Sequence, residues 1–485
     1  MIADSLKFIP AELLVTLGAI IMLGLEAWGL TDRKKLAWVG AGTCLLALLM
    51  NLRCYHNASP ALFGGAYMVD DAAVFLKTLM LAVTALALII APPCVSTQIS
   101  RPGEYYTLFM FTGLGMLFLA SANDLITIFL AIEMTSMPMY VLSASRKSNK
   151  RSAEAGLKFF VLGALASAFY LFGASLTMGT TGTIYVTEIA QKISSLNPAP
   201  QALIVGMLCM LGAFAFKIAA APFHMWAPDV YEGAPVSTTA FLSTGPKIGG
   251  MAVLLRVLTT GFSATAVGLN IKGDWMLVIS VLSLLSMTVG NLIAMHQTNI
   301  KRMLAFSGIA HMGYMLVGVA AASVKGTAAV LFYLWLYTLG SLGAWAVIIT
   351  CCAATESEEI KDLAGLSRRS PALALTLLLA FLSLAGLPPL SGFVGKFYLF
   401  TAAWHTGLSW LVLAGIVNSV ASLFYYMGVL KAVYWLEPTS DAPIAISAGV
   451  RVAMLVGLVA AVVLGLLPGL SSWATLVAST FHPSL

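Results

Sequence analysis

Fourteen apolar runs follow one another along this chain, with only short polar breaks between them. They fall at about 10–30, 36–53, 72–92, 105–121, 124–143, 154–179, 201–222, 236–262, 274–295, 303–322, 327–350, 371–404, 408–430 and 451–470. Each is long enough to cross the ~30 Å hydrocarbon layer of a bilayer as a helix of about 20 residues. Of the 485 residues, 60% are apolar and 9% are charged. A soluble domain carries about 25% charge, so this chain cannot coat a water-facing surface. A soluble enzyme, a disordered chain and a nucleic-acid binder are excluded. What remains is an all-α membrane protein with fourteen transmembrane helices.

One run is exceptional. From Pro371 to Trp404 it would make a single helix of about 51 Å, far longer than the hydrocarbon layer. Its middle reads Gly386-Leu387-Pro388-Pro389-Leu390-Ser391-Gly392, which cannot remain regular helix. Two half-helices joined by an unwound stretch are expected, and such backbone survives at membrane depth only inside protein or beside a wet cavity.

The basic residues orient the chain. If the N-terminus lies outside, fifteen of the 26 Lys and Arg fall in loops after odd-numbered spans, Lys301 and Arg302 among them. Five fall on the opposite side and six within spans. That bias puts both termini on the outer side. The first run has no small-residue cleavage site and is expected to stay as a helix. The longest polar connections, about 180–200 and 351–370, are too short to hold a nucleotide or a flavin. The six cysteines contain no C-x-x-C pair, so metal or iron–sulfur ligation is not expected. Gly392-Phe393-Val394-Gly395-Lys396-Phe397 is not a P-loop, because Leu390 replaces the first glycine and Phe397 the Ser or Thr.

The six basic residues inside spans are Lys77, Lys158, Lys217, Lys247, Arg256 and Lys396. A charge at the bilayer centre costs about 3 kcal/mol even on the gentlest scale. Lys77 and Arg256 lie near span ends and are expected to snorkel to the interface. Lys158 lies one turn into its span. Lys217, Lys247 and Lys396 lie beside helix breaks, where a structural role alone is a poor explanation. Glu133 stands in mid-span and needs a partner or a proton; spacing does not say which lysine serves. Lys217 and His224 are seven residues apart, about 10 Å along one face if the helix runs through Pro222, so something must bridge them. The tenth span carries His311 in Ser307-Gly308-Ile309-Ala310-His311-Met312-Gly313.

Lysine suits a proton relay because burial removes the preference of an amine for its charged form, while a nearby carboxylate restores it. Moving a proton against ~200 mV takes roughly 4.6 kcal/mol, equivalent to about 3.4 pKa units. One opposite charge supplies about 1–3 units, so several coupled groups and an outside energy source are required.

Four stretches carry a family likeness: Ala131-Ile132-Glu133, Phe216-Lys217 with Trp226 through Pro235, Gln297 through Ser307, and Gly392 through Phe397. They resemble the antiporter-like, proton-translocating membrane subunits of respiratory complex I. The resemblance implies an N-terminal three-helix segment (1–104), two inverted five-helix repeats (105–262 and 263–436, with broken helices 7 and 12) and a last helix (437–485). It implies that Glu133 pairs with Lys217. Lys158, Lys247, His224 and His311 would line a central polar axis, with Lys396 as relay group of the second half-channel. It also implies no cofactor on this chain, with NAD, FMN, iron–sulfur clusters and quinone held by partner subunits. Antiporter-like subunit M and small membrane subunits would be its neighbours in the cell inner membrane. In subunit M the place of Lys396 is typically glutamate, and subunit L has a long C-terminal lateral helix; neither matches. The alternative reading is a subunit of a sodium/proton antiporter of the related multisubunit type.

Overall fold

The computed structural model describes residues 6–30, 32–56, 61–197, 200–264, 270–438 and 442–482. The chain begins with α1 (Pro10–Ala27) and α2 (Arg33–Leu52). A two-residue antiparallel hairpin follows, β1 (Ala61–Leu62) with β2 (Tyr67–Met68), the one β-sheet among the described residues. Then come α3 (Asp71–Ile90), α4 (Pro92–Gln98), α5 (Pro102–Ser121), α6 (Leu125–Ser143), α7 (Lys150–Thr181) and α8 (Val186–Ser194). α9 (Gln201–Lys217), α10 (Trp226–Gly233) and α11 (Val236–Arg256) lead to α12 (Ile271–Ala294), α13 (Ile300–Ala320) and α14 (Val324–Thr355). The chain closes with α15 (Leu366–Arg369), α16 (Pro371–Ala385), α17 (Ser391–His405), α18 (Ser409–Trp435), α19 (Ala448–Val462) and α20 (Pro468–Ala478). By length and composition, ten of the described helices can cross a membrane, and three more are apolar but shorter. This is a multi-pass membrane protein.

Helix starts follow local chemistry. Asp124 accepts from the backbone N–H of Ile126 and Thr127, both at 2.9 Å, and Asn299 does the same for Lys301 and Arg302. Such caps satisfy donors that have no partner within the helix. α3, α11, α13 and α14 are almost wholly buried and form the centre of the bundle. The 32-residue α14 packs along α3, α11, α13, α16, α17, α19 and α20, holding both halves of the chain together. Around this centre, α6, α7, α12, α18 and α19 turn Leu130, Phe172, Leu277, Val417 and Leu455 outward, as a bilayer requires.

The helix leaves regular geometry beside two of the membrane lysines, Lys396 and Lys217. α16 and α17 are separated by Gly386–Leu390, with Gly386 at φ +88°. The amide of Gly392 is held by Ser383 Oγ at 3.1 Å. α9 stops at Lys217, and Ala219 takes φ +57°. Its freed groups find partners: Trp226 Nε1 donates to the Phe216 carbonyl at 3.0 Å, and the Ala221 amide to Ser286 Oγ at 2.8 Å. The helix therefore does not run on from Lys217 to His224, and the two do not share one helical face. The turn comes at residue 218, earlier than Pro222, because α12 supplies a hydroxyl for the unwound backbone.

A Cβ at Gly392 would collide with the Ser383 carbonyl of the preceding half-helix. Gly392→Ala is expected to push α16 from α17 and cost about 1–3 kcal/mol, as overpacked cores do. Thermal melting of the purified protein measures this, with Gly428→Ala, which meets nothing within 4 Å, as the neutral control.

Candidate functional site

Lys217 ends α9 and points its ammonium at α6, where Ser136 Oγ accepts at 2.7 Å and the Ile132 carbonyl at 3.5 Å. Glu133 lies three residues before Ser136 on that helix, but its carboxylate accepts from Ser167 of α7. Among the described residues, no ion pair joins Glu133 to Lys217. The carboxylate instead hydrogen-bonds a neutral hydroxyl and Ser136 holds the amine, while Glu133 stays close enough to act on Lys217 through its charge. Both groups sit within one turn of α6, so a side-chain rotation can exchange their partners. The stem of Lys217 lies against Gly250 of α11, whose absent Cβ would stand 3.1 Å from Lys217 Cγ.

One turn earlier on α11 is Lys247, 1% exposed, whose Nζ has no hydrogen-bond partner among the described residues. It lies 6.0 Å from the Tyr231 ring centroid and against Gly308 of α13, a contact point it shares with the Tyr337 hydroxyl. A buried amine without a partner is costly, and its retention points to a role other than packing. His311, one turn along α13 from Gly308, is also 1% exposed. Its ring centroid lies 4.9 Å from that of Tyr337 and 5.8 Å from that of Tyr314. Over the Tyr314 ring, at 4.4 Å, stands the ammonium of Lys396 from α17. Lys396 donates at 3.0 Å to the carbonyl of Ala385, the last residue of α16. The helix break thus supplies both the acceptor and, at Gly386, the room for the lysine stem. Asn291 of α12 fixes the Tyr314 hydroxyl at 3.0 Å. Contacts therefore run from Lys217 past Gly250 to Lys247, then through Tyr337, His311 and Tyr314 to Lys396.

His224 sits in the unwound stretch, half-buried, near Phe306, and its Nδ1 has no partner. Lys158 is elsewhere. Its side chain is 44% exposed and bound by Glu154 at 2.7 Å and Asp229 at 2.9 Å. Placement on the central axis is corrected to a surface ion-pair cluster. Arg302 joins that cluster through Asp229 at 2.8 Å and Glu232 at 3.0 Å.

Three basic residues expected at interfaces or in loops are buried. Lys77 is 2.8 Å from Glu12, with both groups sealed from solvent. Arg256 makes two bonds to Asp70, at 2.8 and 3.0 Å, and one to the Ala120 carbonyl. Lys301 binds Glu358 at 2.7 Å and the carbonyls of Glu232 and Ala234. They do not snorkel, because distant acids and open carbonyls reach them inside the protein. The hydroxyl-bearing Tyr231, Tyr314, Tyr333, Tyr337 and Tyr426 were not singled out from sequence. The four-residue spacing of Tyr333 and Tyr337, one face of α14, was the available signal. Among the described residues, no group of three His, Cys, Asp or Glu could hold a metal ion.

A helical membrane bundle with broken helices and a line of buried amines and imidazole is the architecture of an antiporter-like membrane subunit. The model of the NADH:quinone oxidoreductase/Mrp antiporter transmembrane family matches residues 122–422, and the chain belongs to that family. Among its relatives is NADH-quinone oxidoreductase subunit N of Desulforamulus reducens, 40% identical over 476 residues, 97% of this chain and 98% of that one. A chain in the structure of respiratory complex I from Thermus thermophilus is 31% identical, with a TM-score of 0.78, covering 95% of this chain and 97% of that one. A chain of the archaeal membrane-bound sulfane sulfur reductase shares the fold, with a TM-score of 0.87 at 23% identity over 99% of each chain.

Proposed function

We propose that this chain is the proton-translocating subunit N of an NADH:quinone oxidoreductase, moving protons from the cytoplasm to the outside. The observation that carries the reading is the buried line Lys217, Lys247, His311 and Lys396, with Lys247 Nζ unpartnered at its centre. Glu133 is its movable acid. Turned from Ser167 toward Lys217 it favours the charged amine, and turned back it favours release. Transfer between Lys217 and Lys247 passes along α11 beside Gly250, against which the Lys217 stem lies. The surface cluster of Lys158, Asp229, Glu232 and Arg302 lies at the cytoplasmic end, and His224 between it and the buried line.

In this reading the chain has fourteen spans, with 105–262 and 263–436 as inverted repeats behind the three-helix segment 1–104 and ahead of the last helix. An odd number of helices per repeat turns the second copy upside down, so the breaks after Lys217 and before Lys396 take matching places. Both termini lie outside the inner membrane. The redox chemistry, with NAD, FMN, iron–sulfur clusters and quinone, belongs to partner subunits, which drive this chain through their contacts with it. The 40% identity to a subunit N and the 31% identity to a complex I chain support this reading.

Isolating the native complex through a tag on this chain tests it. Co-isolation of flavin and iron–sulfur proteins is expected; their absence in an intact complex overturns the assignment and favours a cation/proton antiporter. In the same complex, Lys217→Ala and Glu133→Ala are each expected to lower proton pumping severalfold while the subunits stay assembled. Full pumping in both rejects the relay.

A further inference from the structure

The position of His311 raises a question that the row of amines does not answer. Both ring nitrogens face tyrosine hydroxyls: Nδ1 is 2.8 Å from Tyr333 Oη of α14, and Nε2 is 3.1 Å from Tyr426 Oη of α18. Tyr426 Oη lies 2.5 Å from Ser307 Oγ, one turn before His311 on α13. A neutral imidazole has one donor and one acceptor, whereas a hydroxyl can play either part. The neutral ring is therefore satisfied only when one tyrosine donates and the other accepts. An imidazolium, with two donors, needs both hydroxyls to accept.

We propose that Tyr333, His311, Tyr426 and Ser307 form a reversible hydroxyl–imidazole bracket that passes one proton at a time through the middle of the relay, with the two tyrosines as relay residues in their own right. This rests on the proton-translocating reading above. In a passage, the hydroxyl next to one nitrogen gives its proton to that nitrogen and takes a replacement from a hydronium ion or water on its far side. The N–H on the opposite nitrogen breaks as its proton bonds to the second tyrosine. When that tyrosine is Tyr426, its own proton goes to Ser307 Oγ, whose proton leaves to a water molecule beyond it. Each O–H or N–H broken is replaced by one formed, and no net charge remains on the ring. The bracket is then reversed: the tautomer and both hydroxyl directions have changed. A second proton cannot follow in the same direction until they turn back. His311 therefore admits protons singly between Lys247 and Lys396.

Phenylalanine keeps the packing and removes the relay atom, since Tyr333 lies against Gly395 and Tyr426 against Phe381 through their rings. Tyr333→Phe and Tyr426→Phe, made in the whole complex in sealed vesicles, are each expected to slow proton pumping by about a hundredfold, at the low end of what proton-transferring groups contribute. The solvent deuterium isotope effect on pumping is expected to rise in both, which loss of packing alone would not produce. The double variant is expected to be no slower than the worse single one, because a chain needs breaking only once. Normal pumping in both Tyr333→Phe and Tyr426→Phe overturns the bracket, provided that Lys217→Ala pumps poorly in the same vesicles. If Lys217→Ala also pumps normally, the relay reading itself has failed. Should a tyrosine variant not assemble, Ser307→Ala removes only the distal hydroxyl. An assembled Ser307→Ala complex with normal pumping and an unchanged isotope effect overturns the bracket, and slowed pumping with a raised isotope effect supports it.

Discussion

Lys247→Met is expected to stop proton movement through this chain and, in the same protein, to raise its stability. The two effects have one cause. Lys247 is 1% exposed and its Nζ has no hydrogen-bond partner. A polar group buried in that way costs about 1–3 kcal/mol. Methionine fills nearly the same volume with no polar atom, a swap that cores tolerate well, so most of that cost should be recovered. The amine also occupies the centre of the contact line, against Gly308 and 6.0 Å from the Tyr231 ring centroid. Removing a proton-transferring group slows a reaction by about 10²–10⁴-fold, which in vesicles is indistinguishable from zero pumping. Thermal melting of the purified complex and proton uptake into vesicles read the two effects. A structural lysine predicts the opposite pair, a lower melting point with pumping retained, and that result would falsify the assignment of Lys247.

The parts of this fold that were legible in sequence are those set by nearby residues. The break between α16 and α17 follows from Gly386 and the two prolines alone. The break after Lys217 was placed too late, because its position depends on Ser286 of α12, 65 residues away from Ala221. The same distance problem explains the basic residues. Lys77 and Arg256 looked like interfacial side chains because their acids, Glu12 and Asp70, are remote in the chain. Lys301 looked like a loop charge, yet it reaches back to the carbonyls that end α10. Lys217, Lys247, His311 and Lys396 were visible as ionisable residues where none is cheap. Their connection was not, because it runs through tyrosines that an apolar run absorbs as ordinary packing. Lys158 shows the converse: its place in a span suggested depth, but acids four residues before it and on α10 draw its amine to the surface.

Lys77→Met is expected to be among the most destabilising single changes in the chain, and a second change is expected to undo most of the damage. Lys77 Nζ lies 2.8 Å from Glu12 Oε1 and 2.9 Å from Tyr67 Oη, and Tyr67 Oη donates to the same carboxylate oxygen at 2.5 Å. The lysine and the glutamate are about 1% and 4% exposed. Taking away the ammonium leaves a carboxylate in a dry interior with one hydroxyl for company. Breaking a buried pair from one side costs about 3–5 kcal/mol, a large share of the stability of an ordinary domain. Replacing both members by apolar groups of similar size is often neutral or stabilising. Glu12→Leu combined with Lys77→Met should therefore melt near the wild-type temperature, although each alone melts far below it. The pair joins α1 to α3 through the hairpin residue Tyr67, ahead of residues 122–422 in the chain, and among the described residues it shares no hydrogen bond or ion pair with Lys217, Lys247, His311 or Lys396. The double variant should consequently pump protons at close to the normal rate. A double variant as unstable as the two single effects added together would show that the two charges do not hold each other. One that melts normally yet fails to pump would place Glu12 and Lys77 on a proton path to the outer surface instead of in a clamp.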